Sequence, residues 1–242
     1  MACRTDNIGF GNYVILQDPE HFCYGVDAVL LADFTAGNAN HFSNAADLGT
    51  GNGIIPLILA YKNRSAKITG IDILERNISL ARKTAEINGL DERLRFETVD
   101  VKNASDELGK GKFQVITCNP PYFARGGGIT GKCDAKHIAR QETTAVIDDF
   151  IREASVLLEP KGHLFMIHRP SRLVDIMFSC REHALEPKQM RFVSPREGEI
   201  PNMVLLHCIK GGGRELRLLP TLCVHTMDGG YTSEILDIYE RN

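Results

Sequence analysis

Four short apolar segments alternate with two helical patterns between residues 44 and 119, and this alternation determines the fold class. The predicted strands cover residues 45–48, 66–71, 94–98 and 113–118. The predicted helices between them cover about residues 53–62 and 74–88, and Asn88-Gly89 ends the second helix as a C-terminal glycine should. Strands and helices that alternate in this way predict βαβ units around a parallel sheet.

The rest of the chain continues the pattern. We predict a helix at 148–158, a turn at Pro160-Lys161-Gly162, a strand at 163–168, a helix at 171–183, and strands at 189–193 and 203–210. The fold class is therefore α/β, with a seven-stranded, mostly parallel sheet that has one antiparallel strand near its edge. Residues 1–43, with the apolar run 28–32, are predicted to be a helical lead-in to a domain at 44–242, the two forming one structural domain.

Composition excludes several classes of protein. With 242 residues, 43% of them hydrophobic and 24% charged, the chain is neither disordered nor a coiled coil. No apolar run is long enough for a membrane span and no signal peptide follows Met1, so we expect a cytoplasmic protein without a membrane partner. The seven cysteines are odd in number and lack a Cys-x-x-Cys pair, so we expect neither disulfides nor a metal site.

A glycine-rich turn follows the first predicted strand of the sheet. Its sequence is Asp47-Leu48-Gly49-Thr50-Gly51-Asn52-Gly53, and a helix begins directly after it. Glycines let the backbone approach a ligand closely, and a helix N-terminus presents free N–H groups. The turn indicates a site for a nucleotide-like cofactor, although a glycine-rich turn alone is also compatible with a tight connection.

Two carboxylates support the cofactor interpretation. Asp72 ends the second strand, about 20 residues beyond the glycines, where an acidic residue accepts hydrogen bonds from ribose hydroxyls. Asp100 follows the third strand, where it could meet an adenine amino group. At this point both a dinucleotide dehydrogenase and an enzyme that uses S-adenosylmethionine (SAM) remain open. The spacing Gly49-x-Gly51-x-Gly53 favours SAM.

The fourth strand decides between them, because it ends in Asn119-Pro120-Pro121-Tyr122. The two prolines stiffen the turn, so that an Asn side chain and a backbone carbonyl project at the strand end. An amino group conjugated to a ring or carbonyl is a poor nucleophile. Two acceptors, the Asn119 side-chain oxygen and the Pro120 carbonyl, would hold such a nitrogen with its lone pair toward an electrophile, and Tyr122 would stack on the ring.

These motifs resemble those of the class I, Rossmann-like SAM-dependent methyltransferases. The stretches 26–32, Pro195-Arg196-Glu197-Gly198, 202–206 and 228–232 resemble the bacterial valine-tRNA adenine-37 N6-methyltransferase family over nearly the whole chain. One departure is Gln141, where the family pattern has a histidine. The resemblance implies a catalytic role for Asn119, Pro120, Pro121 and Tyr122. It implies cofactor contacts from Asp47, Leu48, Gly49, Thr50 and Gly51 at the methionine end, Asp72 and Ile73 at the ribose, Asp100 and Val101 at the adenine, and from Asn119 and Asp27.

The expected activity is methylation of an adenine N6 in RNA, at adenine 37 of a tRNA anticodon loop. Alternatives are a glutamine side chain in a protein, a guanine N2 in rRNA, and a nucleotide-binding module without chemistry. The net charge is −3, but residues 122–140 carry four basic groups against one acidic group. Lys132, Lys136 and Arg140 in this segment, and Arg196 further on, are the expected RNA contacts. Asp27 could instead be a helix cap, and a monomer is the default expectation.

Overall fold

Strands and helices alternate through most of the chain, as the sequence predicts. The structure is a computed structural model that describes residues 3–19, 23–39, 41–122 and 145–240. Its strands are β1 (Arg4–Asn7), β2 (Val14–Gln17), β3 (Asn44–Leu48), β4 (Lys67–Asp72), β5 (Leu94–Thr98), β6 (Phe113–Cys118), β7 (Leu158–His168), β8 (Leu185–Arg196), β9 (Met203–Lys210) and β10 (Arg217–His225). Its helices are α1 (Val26–Asn38), α2 (Ile54–Lys62), α3 (Glu75–Ile87), α4 (Ala104–Leu108), α5 (Ile147–Leu157), α6 (Leu173–Glu182) and α7 (Ser233–Ile238), with 3₁₀ turns at Val101–Asn103 and Pro170–Arg172.

The main sheet has the strand order β10-β8-β9-β7-β6-β3-β4-β5. Strand β9 is antiparallel to both of its neighbours, whereas the other neighbouring pairs are parallel. The order reverses between β3 and β6, where Leu48 lies opposite Ile71 of β4 on one side and Cys118 of β6 on the other. A reversal of this kind opens a crevice at the carboxyl ends of the strands, which is where ligands bind in such sheets.

Both faces of the sheet are buried. Along β7, Phe165 and Ile167 pack into one hydrophobic cluster with α1, α2 and α3, while Leu164 and Met166 pack into a second cluster with α4, α5 and α6. This alternation follows from the two-residue period of a strand. Coverage on both sides explains the nearly continuous apolar runs in the central strands. Within the described residues, no helix is both long and apolar enough to cross a membrane.

The predicted count of seven strands in the main sheet is wrong, because β10 adds an eighth. Pro220 lies in the middle of β10, and proline within a run argues against a strand unless the strand lies at a sheet edge. Strand β10 does lie at the edge of the main sheet, with β8 as its neighbour. Its parallel register with β8 shifts between Leu219 and Leu222, on either side of the proline.

The lead-in is only partly helical. An antiparallel hairpin of β1 and β2 precedes α1, and Ile8, Phe10 and Ile15 of this segment are buried in the same cluster as α1 and α2. Strand β1 was not predicted because its four residues, Arg4–Asn7, are all polar. The predicted turn at Pro160-Lys161-Gly162 is a bulge inside a longer strand: residues 159–162 interrupt the pairing with β6, which resumes at His163. These residues lie within β7, where Lys161 has a left-handed φ of 67° and the pairing with β6 is irregular.

Candidate active site

The motifs identified in the sequence meet along one edge of the sheet. Strands β5, β4, β3, β6 and β7 are neighbours and parallel, so their carboxyl ends follow one another along this edge. Neighbouring strands lie about 4.8 Å apart. The order of features along the edge is Asp100, Asp72, the glycine turn, Asn119 and Arg169. The sheet therefore assembles groups that are more than 100 residues apart in sequence into one row.

The glycine turn has the left-handed backbone that its three glycines permit. Gly49, Gly51 and Gly53 have φ angles of 73°, 56° and 84°, which residues with a side chain rarely adopt. The Thr50 N–H donates to the carbonyl of Ile71 (2.8 Å), which ties the turn to β4. Gly53 is the N-cap of α2, so the first turn of that helix begins at the crevice.

Asp72 is the side chain that organises this turn. Its Oδ2 accepts from the Gly51 N–H (3.0 Å), and its Oδ1 accepts from the Leu74 N–H (2.8 Å) and the Asn77 amide (3.3 Å). Burial raises the pKa of Asp72, and the backbone hydrogen bonds oppose that rise. Each carboxylate oxygen can accept two hydrogen bonds, so Asp72 Oδ2 retains acceptor capacity for a ligand hydroxyl.

Asp100 occupies the corresponding place beyond β5. Its Oδ1 accepts from the Lys102 N–H (3.0 Å) and caps the 3₁₀ turn that begins at Val101. The Asp100 side chain is partly exposed, whereas Val101 is buried and Ile73, after Asp72, is half-buried. The adjacent strands β4 and β5 thus end as the sequence predicts. Asp72 and Ile73 lie at the end of β4, and Asp100 and Val101 follow β5.

Asp47 differs from the other two carboxylates because its side chain is fully buried. It lies directly opposite Thr117 of β6, whose hydroxyl donates to its Oδ1 (2.7 Å). Burial raises the pKa of Asp47 to about 6, against the effect of the Thr117 hydrogen bond. Sequence reasoning missed Thr117. The available signal was a hydroxyl residue within an apolar strand, in register with the buried carboxylate.

The Asn119–Tyr122 turn contacts an unexpected partner, Asp27 of α1. The Asn119 Nδ2 donates to Asp27 Oδ2 (2.9 Å), and the Tyr122 hydroxyl donates to the same oxygen (2.7 Å). Pro120 is buried and Pro121 is exposed. The sequence assigned Asp27 to the cofactor or to a helix cap. The structure finds no side-chain cap at this helix start, where Gly25 is the N-cap, and it places the Asp27 carboxylate against the Asn119–Tyr122 turn.

Two residues at the end of β7 surround the Tyr122 ring. The guanidinium of Arg169 lies over it, and the His168 ring meets it edge-on at a centroid distance of 5.2 Å. The Arg169 N–H donates to His168 Nδ1 (2.8 Å), so the proton of the neutral imidazole is on Nε2. Burial lowers the pKa of His168 to about 4, so it is uncharged at neutral pH. His168 was not among the candidate residues.

The expected RNA contacts are only partly described. Lys132, Lys136 and Arg140 lie outside the described residues, as does Gln141. Arg196 ends β8 at the same edge of the sheet, and it is ion-paired with Glu199 (3.2 Å). Because β9 and β7 lie between β8 and β6, the axes of β8 and β6 are about 14 Å apart. Through the pairing of these strands Met190 is level with Cys118 at the end of β6, and Arg196 lies six residues beyond Met190. It therefore lies on the rim of the site rather than within it.

Comparison with known proteins agrees with this geometry. Residues 13–174 match the family described as the methyltransferase small domain. The chain belongs to this family. It is accordingly a SAM-dependent methyltransferase. A curated relative, the tRNA1(Val) (adenine(37)-N6)-methyltransferase of Porphyromonas gingivalis, is 27% identical over 98% of this chain and 94% of its own length.

Solved structures of other methyltransferases share the fold. A predicted O-methyltransferase of Agrobacterium tumefaciens has a TM-score of 0.72 and 24% identity, covering 89% of this chain and 96% of that one. The Thermus thermophilus 16S rRNA N2 G1207 methyltransferase, solved with AdoMet and guanosine, has a TM-score of 0.60 and 19% identity, covering 86% of this chain and 50% of that one. The α/β, Rossmann-like fold predicted from the sequence is confirmed.

The residues of this methyltransferase at the crevice fit SAM. The Asp72 carboxylate retains acceptor capacity for a hydroxyl group, and α2 begins at the turn, so the free N–H groups of its first turn lie there. The buried Asn52 Oδ1 lies in the same turn and has no hydrogen-bond partner among the described residues. A buried polar atom of this kind normally has a partner, so a polar ligand beside the turn would satisfy it.

Proposed function

We propose that this methyltransferase modifies the N6 amino group of an adenine in RNA, at position 37 of a tRNA anticodon loop. The observation that carries the proposal is the Asn119–Tyr122 turn beside the glycine turn, since this pairing suits a planar amino group. The near full-length similarity to the P. gingivalis tRNA enzyme supports the choice of acceptor. An anticodon-loop base is already unpaired, which reduces the cost of bringing it into a pocket.

The catalytic groups proposed here act by holding the target nitrogen. The Asn119 Oδ1 and the Pro120 carbonyl accept the two N–H bonds of the adenine amino group, and the Tyr122 ring packs on the base. SAM, when bound, supplies an electrophilic methyl group on a positively charged sulfur. As the nitrogen gains positive charge, these two acceptors stabilise it more strongly than they stabilise the neutral amine. The bond from sulfur to the methyl group breaks as the nitrogen–carbon bond forms, so the sulfur becomes neutral, and the methylated nitrogen then loses one proton to water. His168, uncharged and fixed by its hydrogen bond from Arg169, is therefore not required as a base.

The remaining site residues are proposed to hold SAM. In this proposal Asp47, Leu48, Gly49, Thr50 and Gly51 form the wall at its methionine end, Asp72 and Ile73 hold the ribose, and Asp100 and Val101 hold the adenine. The fully buried Asp47 acts indirectly, through the position of the turn that follows it. On the RNA, Lys132, Lys136, Arg140 and Arg196 are the proposed phosphate contacts, and binding should weaken as salt concentration rises.

The test is methyl transfer with a defined acceptor. Purified protein is incubated with methyl-labelled SAM and a tRNA1(Val) transcript, and the nucleosides are then analysed by mass spectrometry. We expect one N6-methyladenosine per tRNA, at position 37, and no transfer to a matched transcript that carries guanine there. A strain that lacks this protein should lack the same modification.

Two other outcomes would contradict the proposed acceptor. Label from a cell extract that survives nuclease and is released by protease would indicate a glutamine side chain. Label recovered as N2-methylguanosine would indicate rRNA. Because Asn119→Ala serves as the inactive control in each reaction, a contaminating methyltransferase is recognised by activity that this variant retains.

A further inference from the structure

The Asp27 carboxylate holds both ends of the catalytic turn through one oxygen atom. Asp27 is the second residue of α1, and it is 92 residues from Asn119 and 95 residues from Tyr122. Its Oδ2 accepts from the Asn119 Nδ2 at 2.9 Å and from the Tyr122 hydroxyl at 2.7 Å. Hydrogen bonds to a charged acceptor are roughly twice as strong as those between neutral groups.

These contacts determine which end of the Asn119 amide faces the crevice. An ionised carboxylate can only accept hydrogen bonds, so it faces the donating Nδ2 rather than Oδ1. In the reversed amide, two oxygens would face each other and the carboxylate would lose a donor. The Oδ1 is therefore directed away from Asp27, where it is free to accept from an amino group.

The same carboxylate holds the Tyr122 ring. Burial raises the pKa of Tyr122, and the nearby charge of Asp27 raises it further, so the phenol stays protonated and remains a donor at neutral pH. The turn between these two residues is Pro120-Pro121, whose backbone has little freedom. One oxygen thus positions the amide acceptor and the aromatic ring relative to each other.

The start of α1 is built to place this carboxylate. Seven residues of the helix are buried, which fixes its position against the core. Gly25 precedes it with an extended backbone, and a Cβ atom at this position would lie 2.7 Å from Asp27 Oδ1. A side chain at residue 25 would therefore push the carboxylate away from its present position.

We propose that Asp27 is a positioning residue, which selects the orientation of the Asn119 amide and anchors Tyr122 for the incoming amino group. This inference rests on the proposed function of the Asn119–Tyr122 turn. It assigns Asp27 to the acceptor half of the site, whereas the sequence assigned it to the cofactor.

The first test is Asp27→Asn, which keeps the shape of the side chain but can present either a donor or an acceptor. We expect kcat to fall on the order of 10²-fold, as for a misplaced reacting group, with the SAM Kd changed less than about threefold. The matched control is Asp33→Asn on the same helix, because the Asp33 carboxylate pairs with Lys62 (2.9 Å) away from the turn. This control should retain wild-type kcat.

A double-mutant cycle separates the two possible roles of Asp27. If Asp27 acts through the turn, the Asp27→Asn change should lower kcat much less in an Asn119→Ala background than in the wild type, and the loss that remains reports the contact with Tyr122. If Asp27 binds SAM directly, the two losses multiply and the SAM Kd rises in both backgrounds. That second result, or an unchanged kcat in folded Asp27→Asn, would overturn the proposal.

A third measurement needs no RNA and so separates this inference from the proposed acceptor. In ¹⁵N-labelled protein, the side-chain NH₂ signals of Asn119, assigned by their loss in Asn119→Ala, should shift in Asp27→Asn and stay in place in Asp33→Asn. If the wild type does not methylate tRNA but these signals behave as stated, the acceptor is wrong and the positioning contact is real. Unmoved signals would refute the contact. Should Asp27→Asn not fold, Gly25→Ala replaces it and should lower kcat in the same way.

Discussion

Arg169 lies over the ring of Tyr122, with its guanidinium carbon 4.9 Å from the ring centroid. Its Nη1 donates to the Asn202 carbonyl (3.2 Å), and no carboxylate of the described residues forms an ion pair with it. A cation that contacts Tyr122 without a paired anion among the described residues is well placed for a backbone phosphate of the proposed target nucleotide.

We therefore expect Arg169→Ala to lower kcat/KM for tRNA by about twofold to thirtyfold, the equivalent of about 0.5–2 kcal/mol for a cation–π contact, mainly through a higher KM. The salt dependence of KM should also become weaker. Arg172→Ala is the matched control, because Arg172 already pairs with Asp175 (2.8 Å). Equal effects of the two changes, measured by steady-state kinetics at two salt concentrations, would argue against a specific role for Arg169.

Replacement of Asn119 tests its proposed role as the hydrogen-bond acceptor for the amino group. Asn119→Ala removes the amide oxygen but leaves the glycine turn and Asp72 intact. We expect the SAM Kd from calorimetry to stay within about threefold, while kcat falls on the order of 10²-fold or more. Unchanged turnover would remove Asn119 from the mechanism.

The buried carboxylate of Asp47 makes stability depend on pH. Its folded-state pKa of about 6 lies above the ordinary value, so folding favours its protonated form. This contribution is fully present below about pH 4 and is lost as pH rises through about 6. A shift of about two pKa units corresponds to about 3 kcal/mol.

The Asp47→Asn side chain does not titrate, so the variant does not lose stability in this way. The free energy of unfolding of the variant minus that of the wild type should therefore rise by up to about 3 kcal/mol between about pH 4 and pH 7. Urea denaturation at a series of pH values measures the difference. Parallel profiles for the two proteins would show that Asp47 titrates alike in the folded and unfolded states.

Gly53 combines a left-handed φ of 84° with a crowded site, because a Cβ there would lie 2.9 Å from Phe96 and 3.1 Å from Ala81. Gly89 has a similar φ of 64°, but a Cβ there would meet nothing within 4 Å. Gly89→Ala should cost about 1 kcal/mol for the backbone alone. Gly53→Ala should cost about 1–3 kcal/mol more, from overpacking. Thermal unfolding compares the two, and equal losses would show that the Phe96 contact relaxes at no cost.

The positions of the residues proposed to hold the cofactor were predictable because the signals for them are local. Gly49, Gly51, Gly53 and Asp72 lie within one βαβ unit, and the period of the apolar residues sets the strand ends to within a few residues. Asn119 was predictable for the same reason, since it follows the apolar strand β6 directly.

The contacts of α1 with the Asn119–Tyr122 turn, and of β3 with β6, were not predictable in this way. The Asp27–Asn119 and Asp47–Thr117 hydrogen bonds span 92 and 70 residues, and only the order of strands in the sheet brings these pairs together. Strand β10 was missed because Pro220 opposes strand formation locally, while pairing with β8 at the edge tolerates it. In each case tertiary packing outweighs the local pattern.

The position of Asp27 also bears on how this protein can be divided. A fragment that begins at Asn44 would contain the glycine turn, Asp72, Asp100 and the complete Asn-Pro-Pro-Tyr sequence. It would lack α1, and with it the carboxylate that Asn119 and Tyr122 share. It would also expose the core surface that Leu30 and Leu31 cover. With the role proposed for Asp27, the smallest unit able to do the chemistry is larger than this fragment, and expression trials should keep the N-terminal segment.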